Sequence, residues 1–185
     1  MVTVGIDEVG RGCWAGPLVA GAVILPAPIA GLKDSKLLSK LQRENLDKII
    51  RQNAVSFGLG WVSPAEIDEV GLTDAVRLAM QRALAEITIE YDEIIIDGNY
   101  NFLPDNPTAK TMIKADRLVP AASAASIIAK VARDNFMIEL AGQYQNYGFE
   151  KHVGYGTAAH LAALKSFGVC DIHRRSFKPI KALLA

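Results

Sequence analysis

Cysteine is scarce in this chain: two among 185 residues, Cys13 and Cys170, far apart and without C-x-x-C spacing. That excludes a disulfide framework and a structural zinc site, and it suits a reducing cytosol in which both are small, half-buried side chains. Histidine is nearly as rare, and His152, His160 and His173 form no H-E-x-x-H or related ligand pattern. Net charge is lacking altogether. Twenty acids balance 20 bases, so no global basic field points to nucleic acid, and any such interface has to come from local clustering. No apolar run approaches the ~18 residues needed to span a bilayer. The first residues, MVTVGIDEVG, lack a basic segment and place carboxylates where a secretory leader requires apolar residues. A cytoplasmic location is expected.

What is present is apolar material: half of the residues are hydrophobic, enough for a sizeable core. One domain is the default at this length. Strands are predicted at 2–7, 19–25, 54–62, 91–97 and 109–113. The run EIII within the fourth is solidly apolar, as in a strand covered on both faces. Helices are predicted at 39–51, from a capping box at Ser63-Pro64-Ala65-Glu66 to about Val70, and at 73–87, 121–140 and 157–167, the last closed by Gly168. The order predicts an α/β core followed by a helical C-terminal third.

Four carboxylates fall at the ends of buried segments. Asp7 and Glu8 close the first strand, Asp97 closes EIII, and Asp116 follows TMIKA. Each has a bland explanation by itself. Asp97-Gly98-Asn99 is an ordinary turn, Asp7-Glu8 a solvated loop start, and Asp116, beside Lys114 and Arg117, half of a surface ion pair. Jointly they are harder to dismiss. Brought to one sheet edge they raise one another's pKa and destabilise the fold unless a cation is present. Hard oxygen donors in that number suit Mg²⁺ or Mn²⁺. Two such ions about 3.5–4 Å apart drive in-line phosphodiester displacement.

GIDEVGRG, LKDSKLL, IIIDGN, KADRLVPAASAASIIAKVARD, HVGYGT and HRRSF, in that order, resemble the successive signatures of ribonuclease HII, the type 2 ribonuclease H family. The resemblance runs from Gly5 to about Lys181. It implies a ribonuclease H-like fold, a mixed central β-sheet flanked by helices, with residues from about 142 to 185 as a helical substrate-binding segment of a single catalytic domain. It also implies cleavage of RNA–DNA hybrids and of single ribonucleotides in duplex DNA, on the 5′ side of the ribonucleotide, leaving 3′-hydroxyl and 5′-phosphate ends. Its catalytic and metal-binding acids fall on Asp7, Glu8, Asp97 and Asp116, with two Mg²⁺ or Mn²⁺ ions as cofactors. Gly10, Arg11 and Gly12 would read the 2′-hydroxyl through backbone groups, the two glycines letting the backbone approach without a Cβ in the way. Tyr155 would pack on the sugar of the following nucleotide. Within Asp34-Ser35-Lys36, Lys36 is expected on backbone phosphates.

From Lys151 onward six bases (Lys151, Lys165, Arg174, Arg175, Lys178 and Lys181) face one acid, Asp171. This local excess makes Arg174 and Arg175 candidates for duplex-backbone contact. Ser126, Lys130 and Asp134, spaced by four, share one helical face. Trp14 departs from the family, which usually has a smaller or aliphatic residue there. KPIKALLA lacks the glutamine and paired aromatics of a sliding-clamp peptide, so no clamp tether is expected through it, and a monomer is expected. Gly154 to Ala159 fits G-x-G-x-x-A, but no acid follows near twenty residues on, which disfavours a dehydrogenase. A phosphate-binding P-loop is missing. A paired-carboxylate glycosidase needs neither four acids nor the basic tail. The remaining alternative is a non-catalytic nucleic-acid-binding module on the same fold.

Overall fold

The computed structural model describes residues 1–33 and 35–184; Asp34 of the D-S-K segment and the terminal Ala185 lie outside them. Five strands form one mixed sheet: β1 (Thr3–Val9), β2 (Leu18–Ile24), β3 (Ser56–Val62), β4 (Glu93–Asp97) and β5 (Ala109–Met112), in the order β3-β2-β1-β4-β5. β1 pairs antiparallel with β2 and parallel with β4, and β4 continues parallel into β5. β4 is buried on both faces, as its apolar run predicts: Ile94 and Ile96 join one core cluster and Ile95 another.

Helices cover both faces. α1 (Lys40–Asn53) and α2 (Pro64–Val70) each start with a full capping box, Ser39 with Gln42 and Ser63 with Glu66. α3 (Leu72–Ala85) buries Ala75, Val76, Ala79, Met80 and Ala83 against the sheet beside Val4, Ile6 and Leu18. α5 (Pro120–Ala141) crosses the other face, its first half a run of buried alanine, serine and isoleucine. Its approach is set by glycines on the strands beneath. A Cβ at Gly5 would collide with the Ala121–Ala122 backbone, and one at Gly21 with Ala125. That close packing brings the α5 residue Ser126 to the carboxyl end of β1.

Three short helices carry no periodicity from which a sequence can be read: α4 (Ala115–Leu118), α6 (Phe149–His152) and α8 (Lys178–Leu184). α7 (Ala158–Phe167) is capped by the Thr157 hydroxyl and closed by Gly168 at φ +78°, as expected. The C-terminal helices share a core of Met137, Tyr147, Phe149, Leu164 and Ile180 that also takes in Ala15 and Trp14. They are thereby packed onto the loop after β1. Among the described residues no helix is long and apolar enough to cross a membrane.

Candidate active site

Ile6 and Ile96 are the last paired residues of the parallel β1–β4 register, so the next residues, Asp7 and Asp97, lie side by side where that pairing stops; Asp97 closes β4, while β1 runs on to Val9 beyond the strand end expected at Asp7. Strand alternation puts Asp7 on the face of Gly5, toward α5, and Asp97 on the face of Ile95. Glu8 alternates to the opposite face, where its Oε1 lies 3.5 Å from the Arg11 guanidinium. Asp116 arrives differently from the strand-end position expected of it. It sits on α4, entered through Lys114 in the left-handed region (φ +62°), and its backbone N–H donates to Asp97 Oδ1 at 3.3 Å. The turn brings a buried Asp116 beside Asp97.

The electrostatics match this convergence. Burial, then the charge of Glu8, then that of Asp97 push the Asp7 carboxyl well above its ordinary range, against a hydrogen bond from the Ser126 hydroxyl. Burial likewise raises Glu8, with Asp97 adding to the shift and Arg11 opposing it. A divalent cation would relieve both, and the oxygen-only donor set fits Mg²⁺ or Mn²⁺. Among the described residues no three histidine, cysteine or acidic side chains are placed to form a ready-made ligand set. The acids converge without being closed into a cage.

The loop after β1 carries Gly10, Arg11 and Gly12. Gly10 has φ +87°, and a Cβ there would strike the Arg133 side chain. Gly12 has nothing within 4 Å of its missing Cβ, so a side chain at this point would meet only a molecule from outside. Arg11 pairs with Glu8 and lies 5.4 Å over the Phe102 ring. Tyr155 bridges to Cys13 in a β-type pair and is over a third exposed, at 37 %. Lys130 Nζ lies 5.2 Å from its ring centroid. Burial and the adjacent Cys13 raise its phenol to about 12, so it is a neutral ring in water near neutral pH. Trp14 lies against Gly156, where a Cβ would collide with its indole. This contact fixes the loop geometry around Trp14.

Two buried arginines hold this loop, and neither was expected to. Arg133 donates to the carbonyls of Pro17 (2.8 Å), Val153 (2.9 Å) and Ala15 (3.1 Å). Its place on the helical face of Ser126 and Lys130, three residues past the latter, was the available signal. Arg174 was expected on the duplex backbone. It is instead fully buried, donating to Gly16 O at 3.0 Å and Arg11 O at 3.2 Å. Burial lowers its pKa to about 10. The basic excess of the C-terminal third does not distinguish a loop-holding arginine from a surface one; the physical difference is a planar fork of donors, of which Nε and Nη1 of Arg174 meet backbone carbonyls while its buried Nη2 has no partner among the described residues. Arg175 is exposed, while its N–H and that of Ser176 are clamped by Asp68 of α2. Lys36 is exposed on a one-turn helix, Ser35–Leu37, docked to α5 by a 3.0 Å hydrogen bond between the Ser35 and Ser126 hydroxyls.

The sequence matches the ribonuclease HII family over residues 4–180. This chain belongs to that family. It is therefore an enzyme of the hydrolytic nuclease class. The ribonuclease HII of Chlamydia caviae is 47 % identical over 186 residues, spanning 99 % of this chain and 87 % of that protein. The crystal structure of the ribonuclease H2 from Pyrococcus horikoshii superposes with a TM-score of 0.82 at 28 % identity, covering 99 % of this chain and 97 % of the other. The ribonuclease HII of Archaeoglobus fulgidus, solved in complex with PCNA, gives a TM-score of 0.80 at 27 % identity over 96 % of both chains. The ribonuclease H-like fold expected from the sequence motifs is the fold of this family member.

Proposed function

We propose that the protein is an endoribonuclease that cuts the RNA strand of RNA–DNA hybrids and single ribonucleotides embedded in duplex DNA, on the 5′ side of the ribonucleotide. The products are a 3′-hydroxyl and a 5′-phosphate. The observation that carries this reading is that Asp7 and Asp97 lie side by side where the β1–β4 pairing stops, with the carboxyl of Asp7 raised by burial and by its acidic neighbours. We assign Asp7, Glu8, Asp97 and Asp116 as the ligands of two divalent ions, Mg²⁺ or Mn²⁺. Such a pair supplies an activated water and a counter-charge for the leaving oxygen. The chain's own contribution is to hold four oxygen donors at one sheet edge and to orient Asp7 through the Ser126 hydroxyl.

Gly10 and Gly12 offer backbone groups to the 2′-hydroxyl, and the open space beside Gly12 supports that role. Arg11 supplies its backbone to the same loop and its guanidinium to Glu8. Tyr155 packs on the next sugar. Lys36 and Arg175 take backbone phosphates, and the segment from about 142 onward forms the duplex-binding flank of one catalytic domain. Two free cysteines support a reducing, cytoplasmic setting, where ribonucleotides are removed from replicated DNA.

The test is cleavage of a labelled DNA duplex holding one ribonucleotide, with Mg²⁺ and with chelator. A nick 5′ of the ribonucleotide, abolished by chelator and in Asp97→Asn, is expected. Retention of the duplex without cutting would instead establish a non-catalytic binding module.

A further inference from the structure

All three histidines, scattered in the sequence, meet in the core between α6, α7 and the turn at residues 170–174. His152 is 9 % exposed, His160 0 % and His173 1 %. Their hydrogen bonds fix their tautomers. His160 Nδ1 lies 3.0 Å from the Tyr155 carbonyl, which can only accept, so Nδ1 carries the hydrogen. His160 Nε2 is then an acceptor, and it lies 2.9 Å from His173 Nε2, which must donate. His173 Nδ1 is left unprotonated and accepts the Cys170 backbone N–H at 3.0 Å. The Cys170 carbonyl also lies 3.3 Å from His173 Nδ1, but the shorter contact there is the Cys170 N–H, and the donor that His160 Nε2 requires uses the one ring hydrogen of a neutral His173. From the Cys170 N–H through His173 and His160 to the Tyr155 carbonyl, each link then has one donor and one acceptor, in one direction.

We propose that His160, held in its Nδ1–H tautomer by His173, is a positioning residue for Tyr155 and thereby tunes recognition of the nucleotide that follows the ribonucleotide. This rests on the reading of Tyr155 as the sugar-packing residue. The carbonyl that His160 holds belongs to the residue whose ring is exposed beside the Cys13 bridge and the glycine loop. His160 also touches the other side of that loop, its ring 5.5 Å from the Trp14 indole. A displacement of the Tyr155 backbone therefore moves the aromatic platform and leaves the four acids, on β1, β4 and α4, where they are.

The surroundings admit only the neutral pair. His152 stacks on His160 at 4.5 Å, Phe149 meets it edge-on at 5.5 Å, and Tyr147 and the Cys170 thiol flank His173. Arg174 follows His173 in the chain but aims its guanidinium at Gly16 and Arg11. A proton added to His160 Nε2 would face the His173 Nε2 hydrogen. Burial, with the neighbouring histidines, accordingly lowers both pKa values to about 4.

The test compares steady-state cleavage of the single-ribonucleotide duplex by wild type, His160→Asn, His160→Gln, Tyr155→Ala and Tyr155→Ala with His160→Gln, each checked for a native melt. Asparagine presents an N–H in the place of Nδ1, whereas glutamine reaches toward Nε2. His160→Gln is expected to raise KM about 10-fold with kcat little changed, as a misplaced positioning group does. His160→Asn is expected within about 3-fold of wild type, and the double variant is expected to match Tyr155→Ala. Long-range ¹H–¹⁵N spectra should show His160 as the Nδ1–H tautomer and His173 as Nε2–H. Equal loss in Asn and Gln variants, additive losses in the double variant, or the Nε2–H tautomer at His160 overturns the proposal alone. A Tyr155→Ala enzyme indistinguishable from wild type overturns the sugar-packing reading and the proposal with it.

Discussion

Asp7 is held in a state that favours its neutral form, and this has a sign that can be measured. A carboxyl whose folded pKa is raised stabilises the fold at acid pH and costs stability as pH rises through that folded value. In chelator, thermal stability is expected to fall as pH climbs above the ordinary carboxylate range, and Asp7→Asn is expected to remove much of that slope while melting higher than wild type at neutral pH. The same substitution should reduce cleavage on the order of 10³-fold or more, because the acids act as a unit. A stability curve identical in wild type and Asp7→Asn would contradict the assignment. For His160 and His173 the sign is opposite. Their folded values of about 4 lie below the ordinary 6.5, so the unfolded chain binds more protons between those limits. Stability should rise with pH across that window and level off above it, as melting temperatures at a series of pH values would show.

The elements explain why the acids were legible in the sequence and the arginines were not. A carboxylate ending an apolar strand is visible as a break in the pattern, and Asp7 and Asp97 needed only the parallel pairing of β1 with β4 to meet. Asp116 depends on a left-handed Lys114 and a four-residue helix, and lysine carries no signal for that conformation. The capping boxes at Ser39 and Ser63 are local, so α1 and α2 begin where the sequence places them. Arg133 and Arg174 owe their role to carbonyls brought from other parts of the chain, 116 positions away for Arg133 and Pro17. Spacing within a helix cannot supply those partners. Arg133→Leu should expose their worth: it strands three carbonyls of Ala15, Pro17 and Val153. At about 1–3 kcal/mol for each buried group left without a partner, a loss of roughly 3 kcal/mol or more is expected in urea denaturation. A loss below about 1 kcal/mol would mean that water replaces the guanidinium.

At the scale of the whole molecule, a neutral total charge conceals a basic flank. With Arg174 buried, that flank is carried by Lys151, Lys165, Arg175, Lys178 and Lys181. Substituting Arg175, Lys178 and Lys181 by alanine should weaken duplex binding and lower the salt slope by up to about 0.9 for each phosphate that is no longer neutralised. Preference for a ribonucleotide over a deoxyribonucleotide should survive, since we assign it to the glycine loop and Tyr155 on the other elements. A changed preference would move specificity into the C-terminal segment. What unites the scales is one sheet edge at which two neighbouring strands and a short helix bring carboxylates together beside a loop pinned by buried arginines. Anomalous diffraction from Mn²⁺-soaked crystals holding an uncleaved ribonucleotide duplex tests that most directly. Manganese peaks bounded by Asp7, Glu8, Asp97 and Asp116, next to the phosphate on the 5′ side of the ribonucleotide, are the predicted result; manganese bound elsewhere, with none of these four carboxylates touching it, would contradict the account.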